Sequence, residues 1–378
     1  METKKYRFDE VTINHDKKRK PLSAQQRAKM RGRYRYFGAQ NVIDYVNNYL
    51  FDGEYLLIAE DGENLKSGKQ NIAQIVEGQF WLNNHAHIVQ TNELCNIRYL
   101  EYWLNATDIS AYITGSAQPK LSQSNMNAME IELPERIIQD KIVNILSSFD
   151  KKIEVNNQIN RNLSEQAMAI FTDLFGDADK DATVDEVSLN VTDGVHNTVK
   201  DDSEGKFFLL SCKNIKGGSL SLGEAERRIN QETFEKLRKR TKLEKGDILL
   251  SSVGTIGELL LMSFDPDKYE FQRSVAIIKP NSDVVSSEYL YCALLAQKQE
   301  IIRAAHGAVQ QCIFISDIKG FTIHKPTSER LIQFDNAVVP MMKMIYQNEE
   351  ENKRLSLLRD TLLPKLMSGE LDVSELDI

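Results

Sequence analysis

Residue types able to do chemistry occur in this 378-residue chain, but their spacings do not assemble into a catalytic set. His85 and His87 stand two apart, which would put both imidazoles on one face of a strand, yet no third ligand lies nearby and no metal is assigned. Glu60-Asp61 followed by Lys66 and Lys69 faintly has the acids and lysine of a nuclease, and nothing equivalent recurs in the second half. SSVGTIGE carries two glycines three apart without the lysine of a phosphate cradle, so it reads as a tight turn. There is no GxxxxGK[ST] loop and no GxGxxG after a strand. HExxH and nucleophile-elbow signatures are also missing, as is the Asn-Pro-Pro-aromatic tetrapeptide that would hold a flipped adenine. The residues assign no catalytic site, and the chain is read as a non-enzyme.

Charge gives a more positive signal. The sum is −8, but residues 1–35 hold twelve Lys or Arg against four Asp or Glu, including the run Lys17, Lys18, Arg19, Lys20. Lys200 to Lys245 hold twelve against eight. Acids gather elsewhere, at Glu349, Glu350, Glu351 and in the tail from Glu370. Basic clusters of this kind are the footprint of phosphate contact. Arg31, Arg33 and Arg35 alternate with Tyr34, Tyr36 and Phe37. This is either a surface for a DNA backbone and base edges or a strand with its apolar side in and its basic side out.

The elements that must position these residues repeat. Ile142, Leu146, Phe149, Ile153, Asn156, Asn160, Leu163, Ala167, Ile170 and Leu174 fall at alternating steps of four and three, a heptad seam. No proline or glycine interrupts it, and Gly176 stands where a helix would end. Moved by 192, the positions become Phe334, Val338, Met341, Ile345, Asn348, Asn352, Leu355, Arg359, Leu362 and Leu366, and only Arg359 departs in character. Gly115 and Gly307, and Pro134 and Pro326, keep the same shift. The chain is a duplication of a globular unit followed by a long helix. Two narrow seams in one chain invite each other. In an antiparallel pair Asn156 faces Asn352 and Asn160 faces Asn348, whereas a parallel pair sets Asn156 against Asn348. Buried asparagines cost stability but fix register.

The first unit opens with YRFDEVTIN, read as one strand, and the basic loop His15 to Pro21. Short strands follow, with hairpins expected at Asp52-Gly53 and Asp61-Gly62. FWLNNHAHIVQ reads as a further strand and Ile97 to Ala111 as a helix. A polar loop, a short helical turn and a strand ending at Pro134 close the unit. The second unit runs in parallel: KGDILLSSVGTIG against DGEYLLIAEDG, FQRSVAIIKP against NNHAHIVQ, and a helix from Tyr289 to Arg303. The exposed loops of the two units differ in sequence. Cys95, Cys212, Cys292 and Cys312 have no CxxC spacing and read as reduced thiols. Without a signal peptide or a run of about 18 apolar residues, a cytoplasmic protein is expected.

In the order and double occurrence of these segments the chain resembles the specificity subunits of type I restriction-modification systems. The carrying stretches are GAQNVIDY, FDGEYLLIAEDG, TGSAQPKLSQSNMNAMEIELP, KGDILLSSVGTIG, NRNLSEQAMAIFTDLF and NKRLSLLRDTLLPKLMSGEL, and the likeness covers residues 1 to about 371. The resemblance implies an α+β fold with two similar target recognition domains, 1–135 and 177–327, of mixed or antiparallel β-structure with helices. Spacer helices at 136–176 and 328–370 would form an antiparallel coiled coil with pseudo-two-fold symmetry, leaving a tail at 371–378. It also implies a bipartite, asymmetric double-stranded DNA target whose unread gap is measured by the helix pair. The implied partners are two methyltransferase subunits that bind S-adenosylmethionine and two restriction subunits that use ATP and Mg, with no cofactor or metal in this chain and no membrane.

Such a family fixes no base contacts by motif, so charge, loop placement and the internal alignment choose the candidates. In the first unit they are Lys17, Lys18, Arg19, Lys20, Tyr36, Gln40, Asn41, Gln118 and Lys120. In the second they are His196, Lys213, Asn214, Ser252, Thr255, Arg273, Gln310 and Gln311. The alternative reading of the same pattern is a coiled-coil scaffold whose globular units bind protein.

Overall fold

Two forty-residue helices, Arg136–Phe175 and Ser328–Met367, carry the repeat. Both ends of the second lie 192 residues beyond those of the first. The computed structural model describes residues 2–39, 41–67, 70–115, 118–196, 199–223, 226–307 and 311–376. The first helix starts directly after Pro134, with the Ile138 and Gln139 amides donating to the Glu135 carbonyl. The second starts after Pro326, with the Arg330 amide on the Thr327 hydroxyl. Pro340 lies inside the second helix; its missing N–H leaves the Asn336 carbonyl without its usual donor, yet the helix is continuous.

The chain divides into two compact units, residues 1–153 with 353–378 and residues 154–352, so both boundaries fall inside the long helices. Within unit 2 the helical segments run antiparallel. Asn156 Nδ2 donates to Asn352 Oδ1 at 2.9 Å and Asn348 Nδ2 to Asn160 Oδ1 at 2.7 Å, the crossed pairing the seam predicts. Asn352 also donates to Asn157 Oδ1, and Asn156 to the Glu351 carboxylate. Farther along, Phe171 and Phe175 pack with Tyr289 and Phe334. Within unit 1 the corresponding segments bury Ile142, Leu146 and Leu366 in one core, each contributing about 1.5–3 kcal/mol relative to exposure. Arg359, the one seam position that departs in character, reaches Asp150 Oδ1 at 2.6 Å. The remaining seam residues, Phe149, Ile153, Leu163, Ile170, Leu174, Met341, Ile345, Leu355 and Leu362, are half-buried, whereas Val338 is fully buried.

In unit 1 six strands lie in the order Thr12–Asn14, Ala86–Thr91, Phe51–Ala59, Ala73–Leu82, Arg31–Phe37 and Val42–Val46. One face encloses Phe37, Phe51, Tyr55, Leu57, Phe80 and Ile88. The other face, with Leu56, Ile58 and Val89, packs against Tyr99 and Leu100 and the start of the first long helix. A separate pair, Thr3–Arg7 with Glu130–Pro134, completes the unit.

Several local expectations need correction. YRFDEVTIN is not one strand, because one helical turn, Phe8–Val11, interrupts it and drops both apolar side chains into the core. Asp52-Gly53 is a bend within a strand: Gly53 and Gly78 face each other across the ladder with φ of 134° and 80°, which only glycine adopts easily. The segment after Asp61-Gly62 carries a short helix, Asn64–Ser67, before the chain returns, so it is no two-residue hairpin. FWLNNHAHIVQ is two strands joined at residues 83–85. The expected helix over 97–111 ends at Ala106, and that over 289–303 is two helices, Ser287–Ala296 and Lys298–Arg303.

Unit 2 keeps the ladder order in shorter pieces. Ser188–Asp193, Val275–Pro280, Ile248–Ser251 and Leu259–Leu261 form one sheet, and Arg228–Ile229, Phe207–Leu210 and Tyr269–Phe271 another. The long unit-1 strand Ala73–Leu82 pairs antiparallel on one side and parallel on the other. In unit 2 those two roles fall to separate strands, Leu259–Leu261 and Tyr269–Phe271. FDEVTIN (8–14) also has a counterpart, VDEVSLN (184–190). The Phe8 amide donates to the Met129 carbonyl and the Val184 amide to Phe321, both at 2.8 Å. Glu10 accepts from the Arg7 amide as Glu186 does from Thr183, both at 2.7 Å.

Candidate nucleic-acid interface

The repeat is tightest where the closing loop of each unit meets a strand end. Bridges join Asp61 to Lys120 and Thr114 to Lys120 in unit 1, and Val253 to Cys312 and His306 to Cys312 in unit 2. Every pair is shifted by 192. Gly115 and Gly307 turn the two loops with φ of 86° and 103°; a Cβ on Gly115 would sit 2.2 Å from the Gln118 carbonyl oxygen. The backbone scaffold is thus the same while the side chains on it differ.

In unit 1 the basic turn Asp16–Lys18 joins this corner. Trp81 Nε1 donates to the Lys20 carbonyl at 2.6 Å, and the Ile88 amide to Asp16 Oδ1 at 2.9 Å. Beneath the turn runs a chain of alternating charge. Buried His87 directs Nδ1 at Asp16 Oδ2 (2.6 Å) and Nε2 at the Leu121 carbonyl (2.8 Å). Both partners are hydrogen-bond acceptors, a carboxylate oxygen and a carbonyl oxygen. Arg19 reaches Asp16 at 3.3 Å, Glu60 Oε2 at 2.7 Å and the Ala86 carbonyl at 2.6 Å. Lys120 Nζ lies 3.2 Å from Glu60 Oε1. Burial alone would raise the Asp16 carboxyl, but the hydrogen bond and charge of His87, the Ile88 amide and Arg19 hold it below the usual range. Glu60 is likewise held down, against burial, by Arg19, His87 and Lys120.

This network decides which unit-1 candidates are available. Lys17, Lys18, Lys20, Asn41, Gln118 and Lys120 are exposed. Arg19 is not: its guanidinium is consumed by two carboxylates and two carbonyls, so it organises the turn instead of facing solvent. Tyr36 is a core residue, 1% exposed, with its hydroxyl accepting from the Leu22 amide and Arg27 over its ring. Gln40 lies outside the described residues. Of the Arg–aromatic alternation, Arg31 and Arg33 face solvent while Tyr36 and Phe37 are buried, so the basic-out reading describes most of that strand. His85 does not join His87 in a ligand pair; it contacts Asp61 at 2.9 Å. Among the described residues no group of three or more His, Cys, Asp or Glu could hold a metal.

In unit 2 the candidate loops also meet. The Arg273 amide donates to the Val195 carbonyl, the Ser252 amide to Ser274, and the Ile313 amide to Ser252, and the Cys212 amide donates to the Ser274 hydroxyl at 3.1 Å. Loops 193–196, 211–214, 251–255, 272–274 and 311–313 are therefore neighbours. His196, Lys213, Thr255, Arg273 and Gln311 are exposed on them. His196 contacts Asp193, which also takes Arg240 at 3.1 Å. Lys213 contacts Glu226 at 3.1 Å. Two candidates are corrected. Asn214 is 1% exposed and closes a turn, accepting from the Ser211 amide and donating to the Ser221 carbonyl. Ser252 is 3% exposed, and its backbone is the ladder between two loops. Gln310 lies outside the described residues.

Sequence reasoning missed Arg227, Arg228 and Gln272, which line a cleft of about 710 Å3 with Lys213. The basic surplus of 200–245 pointed to that stretch without choosing among its residues. It also missed two exposed tyrosines, Tyr49, whose ring meets that of Tyr34 beside Arg33, and Tyr45, paired with Arg35 across the ladder, because an exposed tyrosine and a core one look alike in a strand pattern. All four cysteines are free thiols, Cys95 and Cys292 buried, Cys212 and Cys312 half-buried. No helix of the described residues is long and apolar enough to cross a membrane.

Known proteins resemble this chain in sequence and in fold. The family description of the type I restriction modification DNA specificity domain matches residues 2–165. A putative type I restriction enzyme specificity subunit of Haemophilus influenzae is 27% identical over 380 residues, covering 94% of each chain. A type I restriction enzyme specificity subunit of Methanocaldococcus jannaschii is 26% identical over 304 residues, covering 74% of this chain and 70% of its own. The crystal structure of a type I restriction-modification S subunit from M. genitalium has the same fold, with a TM-score of 0.64 over 97% of this chain and 96% of that one at 16% identity.

Proposed function

We propose that this chain, which is similar in sequence and fold to type I restriction-modification specificity subunits, reads a bipartite, asymmetric target in double-stranded DNA, one part with each unit. The carrying observation is the pair of loop corners with one backbone geometry and different side chains. Two similar scaffolds with unlike surfaces are what two readers of unlike sequences require. Lysines on the basic turn and Lys213 neutralise phosphates and make affinity salt-dependent. Gln118, Asn41, Gln311, Thr255 and Arg273 are the side chains for base edges in the groove.

Methyl transfer, DNA cleavage and the S-adenosylmethionine, ATP and Mg they use are assigned to partners, two methyltransferase and two restriction subunits. Support for docking along the long helices comes from apolar side chains left exposed on them: Val155 and Ile159 one turn apart and Met344 in unit 2, Leu357 and Leu358 in unit 1. The length of the helices sets the gap between the two half-sites in this reading, and a cytoplasmic location follows from it.

Co-expression with a methyltransferase partner and genome-wide mapping of methylated adenine tests the proposal. A split motif with two different halves is expected. A stable complex with no motif overturns DNA reading and favours a scaffold whose units bind protein.

A further inference from the structure

We infer that Glu60 is a positioning residue for target reading, a role that rests on the DNA-reading function proposed above. It fastens the basic turn to the closing loop so that Lys17, Lys18, Gln118 and Lys120 form one surface. Its two carboxylate oxygens are used separately. Oε2 takes Arg19 at 2.7 Å, and Oε1 lies 3.2 Å from Lys120. Arg19 is the anchor of the turn, bonded also to the Asp16 carbonyl and carboxylate and to Ala86. Lys120 is the residue through which the closing loop is bridged to both Thr114 and Asp61. The Leu121 amide donates to the Glu60 carbonyl, so main chain and side chain of this residue hold the same loop.

The cation count sharpens the point. A carboxylate between Arg19 of the basic turn and Lys120 opposes phosphate binding by its charge, so it is a poor choice for affinity. It is a good choice for geometry, because a two-ended carboxylate converts a turn and a loop from different parts of the chain into one rigid platform. In unit 2 the position 192 residues on is Ser252, whose contacts at the corner run through its backbone. Only unit 1 has this charged clasp among the described residues.

The test uses the full chain assembled with its methyltransferase partner. The probes are a duplex carrying the motif mapped for the wild-type complex and the same duplex with the unit-1 half scrambled. Glu60→Ala should lower the ratio of affinities for the two duplexes about tenfold, while affinity for the scrambled duplex stays equal or rises up to about threefold as a repelling charge is lost. Glu60→Gln, which keeps an acceptor for Arg19, should recover part of the ratio. Loss of binding to both duplexes together, or an unchanged ratio, overturns the positioning role. Lys17→Ala with Lys18→Ala separates the two readings. If that variant leaves affinity and its salt dependence unchanged, the DNA-reading face itself is wrong. If it weakens both duplexes while Glu60→Ala leaves the ratio intact, only the role of Glu60 fails.

Discussion

The two loop corners share a backbone and differ in what holds it. In unit 1 a chain of charge running from buried His87 and Asp16 through Arg19 and Glu60 to exposed Lys120 ties turn to loop. In unit 2 the same place is tied by amides and hydroxyls, the Cys212 amide on Ser274, the Glu258 amide on the Ser251 hydroxyl at 2.8 Å and the Ser251 hydroxyl on the Thr255 carbonyl, with ion pairs on its rim, Asp193 with Arg240 and His306 with Asp317. Charged networks in a protein interior are strong when complete and costly when broken. Neutral bonds are worth about 1 kcal/mol each and fail singly. A duplicated scaffold can therefore carry two different electrostatic surfaces, each with its own sensitivity to pH and salt.

The largest effect should come from breaking the charged corner. Arg19→Ala leaves Asp16 with His87 and Glu60 with Lys120 but removes the cation that joins the two carboxylates, and should destabilise unit 1 by about 3 kcal/mol, seen as faster amide exchange at Ile88 and Leu121 with unit 2 unaffected. Equal loss in both units would show that the corners are not independent.

Acid sharpens the same comparison. Asp16 and Glu60 have folded pKa values below their ordinary ones, so they add stability above the ordinary carboxylate range and lose it as pH falls through the folded values. Asp247 in unit 2 behaves oppositely. Burial, only partly offset by Lys279 at 2.8 Å, raises it from 3.8 to about 6. It favours the folded state below 3.8, and that contribution disappears as pH rises through about 6. The difference corresponds to about 3 kcal/mol at most. Lowering pH from 7 to 4 should slow exchange at Leu249 and Leu260, and only below that range should Ile88 and Leu121 quicken. Opposite ordering in exchange measured across this range would reject the assignment.

On the neutral side, Ser274→Ala should cost about 1 kcal/mol, read from the denaturant midpoint. A cost near that of Arg19→Ala would erase the distinction between the corners. The smallest effect is on slope, not stability. Lys17→Ala with Lys18→Ala should reduce the dependence of log affinity on log salt by about 2, at about 0.9 per phosphate contact, with melting unchanged because both side chains are solvent-exposed.

Much of the architecture was legible because it is periodic. The heptad seam, its recurrence after 192 residues and the crossed asparagine pairs all appear in the structure, since helical period and buried polar matching are local consequences of residue type and spacing. Elements shorter than two turns were misread: one helical turn hidden in YRFDEVTIN, a glycine bend taken for a hairpin, one apparent strand that is two. Too few residues carry a period there, and tertiary packing of Phe8 and Val11 decides the conformation.

The candidate site was legible as loops, less so as residues. Lys17, Lys18 and Lys213 are exposed, as a charged lysine side chain usually is. Arg19, Tyr36, Asn214 and Ser252 look no different in sequence, yet each is claimed by groups on other segments: Glu60 for Arg19, Leu22 for Tyr36, Ser221 for Asn214, Ser274 and Ile313 for Ser252. The sequence alone determined that this is a duplicated protein with two long helices and two basic stretches, because repetition, periodicity and composition need no partner to be seen. Which polar groups face solvent was decided by tertiary structure, because a hydrogen bond or ion pair between distant segments exists only once the fold has brought both ends together.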